Sequence, residues 1–556
     1  MVIAVGSYKN LLFIVIAIAN TLISIINELR AKKIVDNLRI MAEKPVQIKR
    51  GEQELKVPSD KLLVGDIIIL QKGDQLAVDA KIVSGEPEIN ESFLTGEADN
   101  IKKKPGDKLL SGSYLANGSC EAKVTAVGDE LTIKKIEQSA KAVKDTKSKL
   151  FQITNNIVKY ISYALIPIGA LLLWSRYRVD GTTPEIATTT TVAALINMIP
   201  EGLILLISSV LALSTIRLSK KKVLVQDLYA IETLARVDTI CLDKTGTLTT
   251  VKDGKETVRP ESKKLIEYFK KNDVEAKIIS GDDFETVKNV AEKVGIENLR
   301  ILNLENVTIK ELRKVANDYN VFAKANPEQK QTIAKALHDQ NNIIAMTGDG
   351  VNDVLAMREA DCSISVADGT DVARRTAKLV LLNSDFSTIP DIINEGRQTI
   401  NNLERSATLF LTKTFYAGIL AVIFAIVPIT YPFIPIEMSL LNFLCIGFPA
   451  FVLALETNHE RIQDKFLKNI KKYSIPTGII IAILIITLSI VSQIFNLDYR
   501  TTTVLSSILV FVPNITMITI IAKPLNKYRI ALITIIIAMM AATLLIPFAN
   551  QIFFSL

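Results

Sequence analysis

The chain has 556 residues, of which 65 are Lys or Arg and 58 are Asp or Glu, so its formal net charge is +7. Apolar residues make up 49% of the chain and the mean hydropathy is +0.30, which excludes a disordered or fibrous protein. Basic residues are interleaved with acids rather than gathered in one stripe, so the charge gives no indication of nucleic-acid binding.

The positive hydropathy predicts membrane-spanning segments beside soluble ones. Apolar runs of about 20 residues, the length of a helix that crosses a bilayer, recur along the chain. The predicted spans are residues 11–28, 158–176, 189–217, 404–430, 434–456, 475–495, 501–522 and 529–554. The connections at 459–473 and 523–529 are basic, which places them and the long polar segments on the cytoplasmic side.

Two long polar segments interrupt the spans. Residues 29–157 contain short runs bounded by turn residues, which predicts a small β-rich domain. Residues 218–403 alternate apolar strand runs with amphipathic helices, which predicts an α/β domain with a parallel sheet. The predicted fold class is therefore a multidomain membrane protein, in which an α-helical transmembrane bundle carries a β-rich domain and an α/β domain.

Carboxylates follow two predicted strands of the α/β segment. Asp243 opens the run Asp-Lys-Thr-Gly-Thr-Leu-Thr at 243–249, where a strand-end carboxylate can act as a nucleophile. A second strand ends in Thr-Gly-Asp-Gly-Val-Asn-Asp at 347–353, whose carboxylates suit Mg²⁺. Taken singly, Lys330 is typical of a solvated helix residue and Ser280 of a turn. Together with Asp243 they predict a site for phosphoryl transfer.

These motifs resemble those of the P-type ATPase family, whose phosphorylation domain is of the haloacid dehalogenase type. The matching runs are 243–249, 347–353 and Thr95-Gly96-Glu97. Alone, the tripeptide would indicate only an exposed turn. The resemblance implies that Asp243 becomes an aspartyl phosphate, with ATP and Mg²⁺ as cofactors. It also implies that the β-rich segment is the actuator domain, whose Glu97 positions water for dephosphorylation.

The resemblance implies a set of site residues in the soluble segments. The catalytic residues are Asp243, Lys244, Thr245, Thr95, Gly96, Glu97, Lys330, Ser280, Gly281, Asp282, Asn352 and Asp353. The residues that bind the phosphate donor are Thr245, Thr347, Gly348 and Lys330, and those that hold Mg²⁺ are Asp243, Thr245 and Asp349.

The third predicted span contains Pro-Glu-Gly-Leu at 200–203. Proline has no N–H, so the carbonyl of Ile196 is expected to lose its helical partner. A charged Glu201 near mid-span is costly in lipid and therefore indicates a function, which a simple proline kink does not explain. Freed carbonyls beside this carboxylate predict a site for a transported cation.

This run is similar to that of calcium-type P-type ATPases, and residues 442–458 resemble a bacterial branch that includes putative calcium transporters. The implied cation ligands are Ile196, Ile199, Glu201, Asn442 and Glu456. Glu456 is either a ligand or a residue at the cytoplasmic end of its helix. Ile446 stands where the family has an aspartate, and Lys413 is the only charge in the fifth-helix region 406–416, which predicts few bound cations and a built-in counter-charge.

Three parts of the family plan are expected to be missing. Only the polar linker 250–257 stands where a nucleotide-binding domain should follow the first motif. The chain is also expected to start at the family's second transmembrane helix and to end after the ninth. An edited chain, a reduced natural pump and a partner that supplies the nucleotide-binding domain remain alternatives. Without an adenine pocket, ATP would be held by its phosphates alone and bound weakly.

The sequence therefore predicts a cation-transporting P-type ATPase of the bacterial plasma membrane, with Ca²⁺ the favoured ion. Oxygen ligands suit Ca²⁺, Mg²⁺ and Mn²⁺ alike, so the ion itself stays open. A membrane-tethered phosphatase and an impaired, pump-derived cation-binding protein are the alternatives; the phosphatase would usually carry an acid at the position of Thr245. The predicted segments are a transmembrane helix (1–28), the actuator domain (29–157), two transmembrane helices with the cation site (158–217), the phosphorylation domain (218–403) and five transmembrane helices (404–556).

Overall fold

The computed structural model describes residues 45–51, 53–91, 100–131, 149–178, 183–252, 255–427, 429–460, 462 and 466–554, with single helical positions between 18 and 33. Thr95, Gly96, Glu97 and most of the span predicted at 11–28 lie outside the described residues. The chain divides into a helical unit (1–30, 147–213 and 397–556) and a mixed unit (31–146 and 214–396). The boundaries of the five predicted segments remain a prediction.

The helices in chain order are α1 (Lys149–Arg176), α2 (Pro184–Met198), α3 (Glu201–Lys220), α4 (Tyr229–Ala235), α5 (Ser262–Lys271), α6 (Phe284–Val294), α7 (Ile309–Val315), α8 (Pro327–Asp339), α9 (Val354–Glu359), α10 (Asp371–Thr376), α11 (Ile389–Ile426), α12 (Pro435–Asn442), α13 (Phe448–Leu455), α14 (Phe466–Phe495), α15 (Tyr499–Ile521), α16 (Lys527–Leu545) and α17 (Pro547–Phe554). A π-helical turn, Phe443–Gly447, joins α12 to α13.

The strands are β1 (Val46–Arg50), β2 (Gln53–Val57), β3 (Ile67–Gln71), β4 (Asp79–Ser84), β5 (Glu88–Asn90), β6 (Asn100–Lys102), β7 (Lys108–Leu109), β8 (Tyr114–Asn117), β9 (Ser119–Ala126), β10 (Val223–Val225), β11 (Thr239–Asp243), β12 (Thr249–Lys252), β13 (Lys255–Val258), β14 (Glu275–Ile279), β15 (Ile301–Asn303), β16 (Val321–Ala323), β17 (Ile344–Thr347), β18 (Cys362–Val366) and β19 (Leu379–Leu381).

The first soluble segment folds into two antiparallel sheets, ordered β2-β1-β3-β9-β4-β7 and β6-β5-β8. In β9 the side chains of Cys120, Ala122 and Val124 are buried and alternate with more exposed ones, because successive residues of a strand face opposite sides of the sheet. Their buried face joins Ile48 and Ile68 in one apolar core. The predicted β-rich domain is confirmed.

The second soluble segment contains an eight-stranded sheet in the order β10-β19-β18-β17-β11-β14-β16-β15. Every neighbouring pair is parallel except β10 with β19. β11 lies between β17 and β14, and its five residues are buried, as expected for a strand covered by helices on both faces. The predicted parallel α/β domain is confirmed, and it brings the carboxyl ends of β11, β14 and β17 to one edge.

The linker 250–257 forms most of an antiparallel hairpin, β12 with β13, in which Thr249 pairs with Val258. The chain then returns at once to the sheet, since Arg259 N donates a hydrogen bond to Leu248 O (2.9 Å). Ser262 Oγ donates to the same carbonyl at 3.0 Å. A short hairpin therefore stands where the sequence predicted only a linker in place of a nucleotide-binding domain.

Among the described residues, six helices are long and apolar enough to cross a membrane: Thr154–Arg176, Phe386–Ile426, Pro435–Leu455, Leu467–Phe495, Tyr499–Ile521 and Lys527–Leu545. Two predicted spans differ from single helices. The span at 189–217 is split between α2 and α3, because Ile199 is extended (φ −85°, ψ 121°) before Pro200. The span at 529–554 is split at Ile546, since proline at 547 begins a new helix.

Candidate functional site

Asp243 is the last residue of β11, at the centre of the sheet edge. Its backbone N–H donates to Thr347 Oγ1 of β17 at 3.1 Å, and Thr347 is fully buried. Its backbone also pairs with Ile279 of β14. The carboxylate is thus held where three strands end, which is the edge at which parallel sheets carry reactive groups.

Lys330 reaches the same point from α8. Its Nζ lies 2.7 Å from Asp243 Oδ1 and 2.6 Å from Asp353 Oδ1. The helix is fixed at its start by a capping box between Asn326 and Gln329, three residues apart, which sets the first turn that carries Lys330. The side chain is buried, so Lys330 is not the solvated helix residue that its sequence neighbourhood alone would indicate.

Three carboxylates converge beside this lysine. Asp243, Asp349 and Asp353 each offer an oxygen within 4.8 Å of the other two. The close approach needs glycine at 348, because a Cβ there would lie 2.4 Å from the Cβ of Asp353. Carboxylate oxygens clustered at this spacing are the donor set that Mg²⁺ prefers.

The acidic cluster is short of positive charge. Burial first and the neighbouring Asp353 second raise the pKa of Asp243 to about 7 and that of Asp349 to about 6. Burial would lower the pKa of Lys330, but Asp353 and Asp243 together raise it above its ordinary value, so the ammonium stays charged. One lysine against three carboxylates leaves room for a divalent cation, and the residues present therefore fit Mg²⁺. The side chain of Thr245, the further predicted ligand, lies outside the described side chains.

The third strand end adds a second ion pair. Lys244 Nζ lies 2.6 Å from Asp282 Oδ2, and the Lys244 side chain is only 2% exposed. Ser280 Oγ donates to the same carboxylate at 3.1 Å. Gly281 lies between them in the turn that follows β14. The structure thus brings Lys330 and Asp353 together with Asp243, and places Ser280 and Asp282 at the end of the neighbouring strand β14.

A cavity of about 550 Å³ adjoins the site and is lined by residues of the β-rich and α/β domains. Asn352, the exposed neighbour of Asp353, lies in its wall with Asn90 and Asn100. Asn90 Nδ2 donates to Asn100 Oδ1 at 2.8 Å. In the sequence, these two asparagines stand on either side of the predicted Thr-Gly-Glu run, which lies outside the described residues.

In the helical unit, the break between α2 and α3 falls at the predicted cation site. The Ile196 carbonyl is not freed as predicted, because the N–H of Ile199 reaches back to it at 3.2 Å after the chain tightens by one residue. The side chain of Glu201 lies outside the described ones. Gly202 packs tightly against α11, since a Cβ there would lie 2.4 Å from Phe410 Cζ.

Asn442, a predicted cation ligand, lies at the end of α12 and donates its Nδ2 to Asn197 Oδ1 at 3.2 Å. Asn197 is fully buried on the last turn of α2. Of the predicted cation ligands, Asn442 thus meets the last turn before the helix break, where it contacts an asparagine that the sequence reasoning did not single out.

Glu456 follows α13, and three side chains occupy its carboxylate. Arg529 Nε lies 2.8 Å from both oxygens, Asn526 Nδ2 donates to Oε1 at 2.8 Å, and Arg405 Nη1 lies 3.5 Å from Oε2. A carboxylate engaged by two guanidinium groups is a poor ligand for another cation. Of the two alternatives for Glu456, the geometry favours the helix-end residue.

Comparison with known proteins gives the context of both sites. The model of the P-type ATPase actuator domain matches residues 40–141, and that of haloacid dehalogenase-like hydrolases matches residues 250–361. The probable cation-transporting ATPase exp7 of Streptococcus pneumoniae is 30% identical over 86% of this chain and 79% of its own length. The chain belongs to the P-type ATPase family.

Two further relatives of this family are calcium-transporting ATPases named CtpE. That of Mycobacterium tuberculosis is 30% identical over 87% of this chain and 78% of its own length. That of Mycolicibacterium smegmatis is 29% identical over 100% of this chain and 88% of its own length. As a member of a family of bacterial cation-transporting ATPases, the chain is a multi-pass membrane protein with an actuator domain and a haloacid dehalogenase-like domain.

The alignments also bear on the short hairpin between β12 and β13. They run over 613 positions with the pneumococcal ATPase and 700 with the Mycolicibacterium ATPase, although this P-type ATPase has only 556 residues. The relatives therefore carry residues, inside the aligned range, that this chain lacks. That difference agrees with the short connection of 250–257 in the sequence.

Asn197 and Glu437 are among the buried polar residues of the helical unit that sequence reasoning missed. Asn197 is a single asparagine in an apolar run. The signal that could have indicated a role for it is its position three residues before Pro200. Glu437 is 2% exposed in the first turn of α12, where its carboxylate accepts the N–H of Ile434 at 2.9 Å. The proline at the first position of the helix and the acid two residues later are typical of a helix start.

Proposed function

We propose that this P-type ATPase moves a divalent cation, with Ca²⁺ favoured, by forming and hydrolysing an aspartyl phosphate at Asp243. The observation that supports the proposal most strongly is the contact of Lys330 with both Asp243 and Asp353 beside a third carboxylate. A buried ammonium and a cation-binding carboxylate cluster are what a phosphoryl group needs when it meets an anionic nucleophile.

In the proposed first step, Asp243 attacks the terminal phosphorus of ATP through the oxygen that Lys330 does not hold. A bond forms between this oxygen and phosphorus, while the bond from phosphorus to the bridging oxygen breaks and its electron pair leaves with ADP. Lys330 offsets negative charge on the transferred group. Mg²⁺ held by Asp243, Asp349 and Thr245 would neutralise phosphate charge and align the reacting oxygens.

In the second step, water attacks the phosphorus and Asp243 is released as a carboxylate together with inorganic phosphate. Glu97, in the actuator segment bracketed by Asn90 and Asn100, is proposed to position that water. The role is supported by the cavity that Asn352, the neighbour of Asp353, lines together with Asn90 and Asn100. Separate domains for the two steps allow transport to occur between them.

The phosphate donor is proposed to be held mainly through its phosphates. The hairpin of β12 and β13 offers ten residues in place of a domain that would bind adenine. Thr347 and Gly348 lie at the strand end beside Asp243, where they contribute to the phosphate pocket. Recognition of the phosphates without the base gives weak affinity and little selectivity among donors.

The transported cation is proposed to bind at the break between α2 and α3. Glu201, the carbonyl of Ile199 and the Asn442 side chain supply oxygen ligands, with buried Lys413 as a counter-charge. The names of the CtpE relatives favour Ca²⁺.

Phosphoenzyme formation tests the proposal. Purified full-length protein is treated with ³²P-labelled ATP or acetyl phosphate and Mg²⁺, quenched in acid and then exposed to hydroxylamine, which releases acyl phosphates. Label that hydroxylamine removes is expected in the unaltered protein and absent in Asp243→Asn. Asp339→Asn, which changes an exposed acid at the end of α8, is the matched control and is expected to label normally.

The two donors separate the parts of the proposal. Labelling by both donors supports a pump that uses ATP with this chain alone. Labelling by acetyl phosphate alone supports the phosphorylation site and assigns nucleotide capture to a partner. Labelling by neither donor would contradict the catalytic proposal and leave the pump-derived binding protein as the better account.

A further inference from the structure

The buried amide pair at the helix break has an unusual hydrogen-bond pattern. Asn197 Oδ1 accepts from Asn442 Nδ2 at 3.2 Å, and Asn197 is fully buried. Asn442 Oδ1 meets no hydrogen-bond partner among the described residues, whereas the other side of the Asn197 amide lies beside the Tyr431 side chain. Buried polar atoms are normally hydrogen-bonded, so an unpaired amide oxygen at this place suggests that a ligand binds there.

Which oxygen is free depends on how the two amides are oriented. In the structure Asn442 Nδ2 donates to Asn197 Oδ1, and the Asn442 oxygen is the free one. Exchanging oxygen and nitrogen in both side chains would leave the Asn197 oxygen free instead, and exchanging them in only one would oppose like atoms. The arrangement in the structure therefore presents the Asn442 oxygen away from the pair.

The cation site needs that oxygen. Ca²⁺ takes six to eight oxygen ligands. Ile446 supplies none where the family has an aspartate, and the Glu456 carboxylate is occupied by Arg529. Asn442 also lies at the start of the π-helical turn Phe443–Gly447, and such turns are frequent at functional sites. A site with so few donors depends on each amide oxygen that faces it.

We propose that Asn197 is a positioning residue of the cation site, which holds the Asn442 amide so that its oxygen faces the cation. Asn197 accepts the Asn442 N–H and thereby prevents the amide from turning its nitrogen towards the ion. The proposal rests on the proposed function, since it assumes that a divalent cation binds at the break between α2 and α3. Asn197 is not one of the cation ligands that the family resemblance implies, so the proposal adds a residue to the site.

Equilibrium binding of ⁴⁵Ca²⁺ to the purified full chain, without any phosphate donor, tests this role. Asn197→Ala is expected to weaken binding about tenfold, the usual worth of a lost buried hydrogen bond. Asn197→Asp is expected to stay within about threefold of the unaltered protein, because its carboxylate accepts the same N–H. The double variant Asn197→Ala/Asn442→Ala is expected to bind no more weakly than Asn442→Ala, since Asn197 acts through Asn442.

Controls separate positioning from folding. Thr191→Val changes a buried side chain of the same helix, whose hydroxyl donates to Ala187 O at 2.7 Å, and is expected to leave Ca²⁺ affinity unchanged. Asn197→Leu keeps the branched shape of the side chain without an acceptor, and it is used in place of the alanine variant if the alanine variant does not fold. Thermal unfolding without Ca²⁺ reports folding of each variant.

Distinct results would overturn the two levels of the argument. If the unaltered protein binds Ca²⁺ and Glu201→Gln removes binding, but Asn197→Ala and Asn197→Leu bind normally, the positioning role is wrong and the cation site stands. If Asn197→Asp is as weak as Asn197→Ala, Asn197 does not act by accepting the Asn442 N–H. If the unaltered protein binds no Ca²⁺, both proposals fail.

Discussion

Lys330 Nζ lies 2.7 Å from Asp243 Oδ1, although the two residues are 87 positions apart in the chain. The fold creates this contact by ending β11 beside the first turn of α8. Lys330 also holds Asp353 at 2.6 Å, so one ammonium group sets the spacing of two carboxylates. Contacts within the chain therefore set the geometry of the proposed phosphorylation site.

Replacement of Lys330 by methionine is expected to slow phosphorylation of Asp243 by acetyl phosphate roughly 100-fold, because a charge that stabilises the transferring group is lost. The initial rate of hydroxylamine-sensitive labelling measures the effect. Lys335→Met alters an exposed lysine of the same helix and serves as the control. A rate within threefold of the unaltered protein for Lys330→Met would contradict the assigned role.

Mg²⁺ affinity is expected to depend on pH. Burial and Asp353 raise the pKa of Asp243 to about 7 and of Asp349 to about 6, and Mg²⁺ needs both carboxyls deprotonated. The affinity for Mg²⁺ should therefore fall roughly tenfold per pH unit below the pKa of Asp243. Below the pKa of Asp349 it should fall more steeply. The Mg²⁺-induced rise in Tm, measured at several pH values, tests this expectation, and a rise that is independent of pH would contradict it.

The same pKa shifts act on stability in the absence of Mg²⁺. The folded protein binds protons on Asp243 and Asp349 more tightly than the unfolded chain, whose carboxyls have a pKa of 3.8. The free energy of unfolding should therefore fall as the pH rises from 3.8 through about 7. Asp349→Asn removes one of the buried carboxyl groups whose ionisation lowers stability. At pH 8 without Mg²⁺, this variant is therefore expected to have a higher Tm than the unaltered protein. Its Tm is expected not to respond to Mg²⁺. A lower Tm for this variant would show that the carboxylate stabilises the metal-free fold.

Glu456→Gln is expected to lower stability without changing Ca²⁺ affinity by more than twofold. Its carboxylate pairs with Arg529 and Arg405, and loss of one partner of a buried ion pair costs about 3 kcal/mol. Thermal unfolding and ⁴⁵Ca²⁺ binding measure the two effects. Glu185→Gln, at an exposed acid, is the control. A large loss of Ca²⁺ affinity with unchanged stability would instead make Glu456 a cation ligand.

The positions of the carboxylates in the α/β domain could be predicted from the sequence, because these residues follow the ends of strands. An apolar run followed by Asp243 locates the nucleophile, and the glycine-rich run after β17 locates Asp349 and Asp353. The family resemblance selected Lys330, whose own neighbourhood indicates only an amphipathic helix. The ion pair of Lys244 with Asp282 forms because β11 and β14 are neighbours in the sheet. Local sequence patterns do not predict which strands are neighbours.

The membrane site was harder to predict, because its contacts join distant helices. Asn197 and Asn442 are 245 positions apart, and the pattern around a single asparagine in an apolar run does not predict which residue it contacts. The expectation for Ile196 failed for a local reason, since the chain before a proline can tighten and pair the carbonyl again. The proline after Ile546 could have predicted the helix break there. The break was missed because the residues on both sides of it are apolar and were interpreted as one span.

Transport by reconstituted protein tests the central claim most directly. The full chain is placed in proteoliposomes, and movement of ⁴⁵Ca²⁺ across the membrane is followed after addition of Mg²⁺ with ATP or acetyl phosphate. Donor-dependent Ca²⁺ movement that is absent in both Asp243→Asn and Glu201→Gln is predicted. Phosphorylation of Asp243 without Ca²⁺ movement under either donor, or Ca²⁺ movement that persists in Asp243→Asn, would contradict a Ca²⁺ pump driven by the aspartyl phosphate.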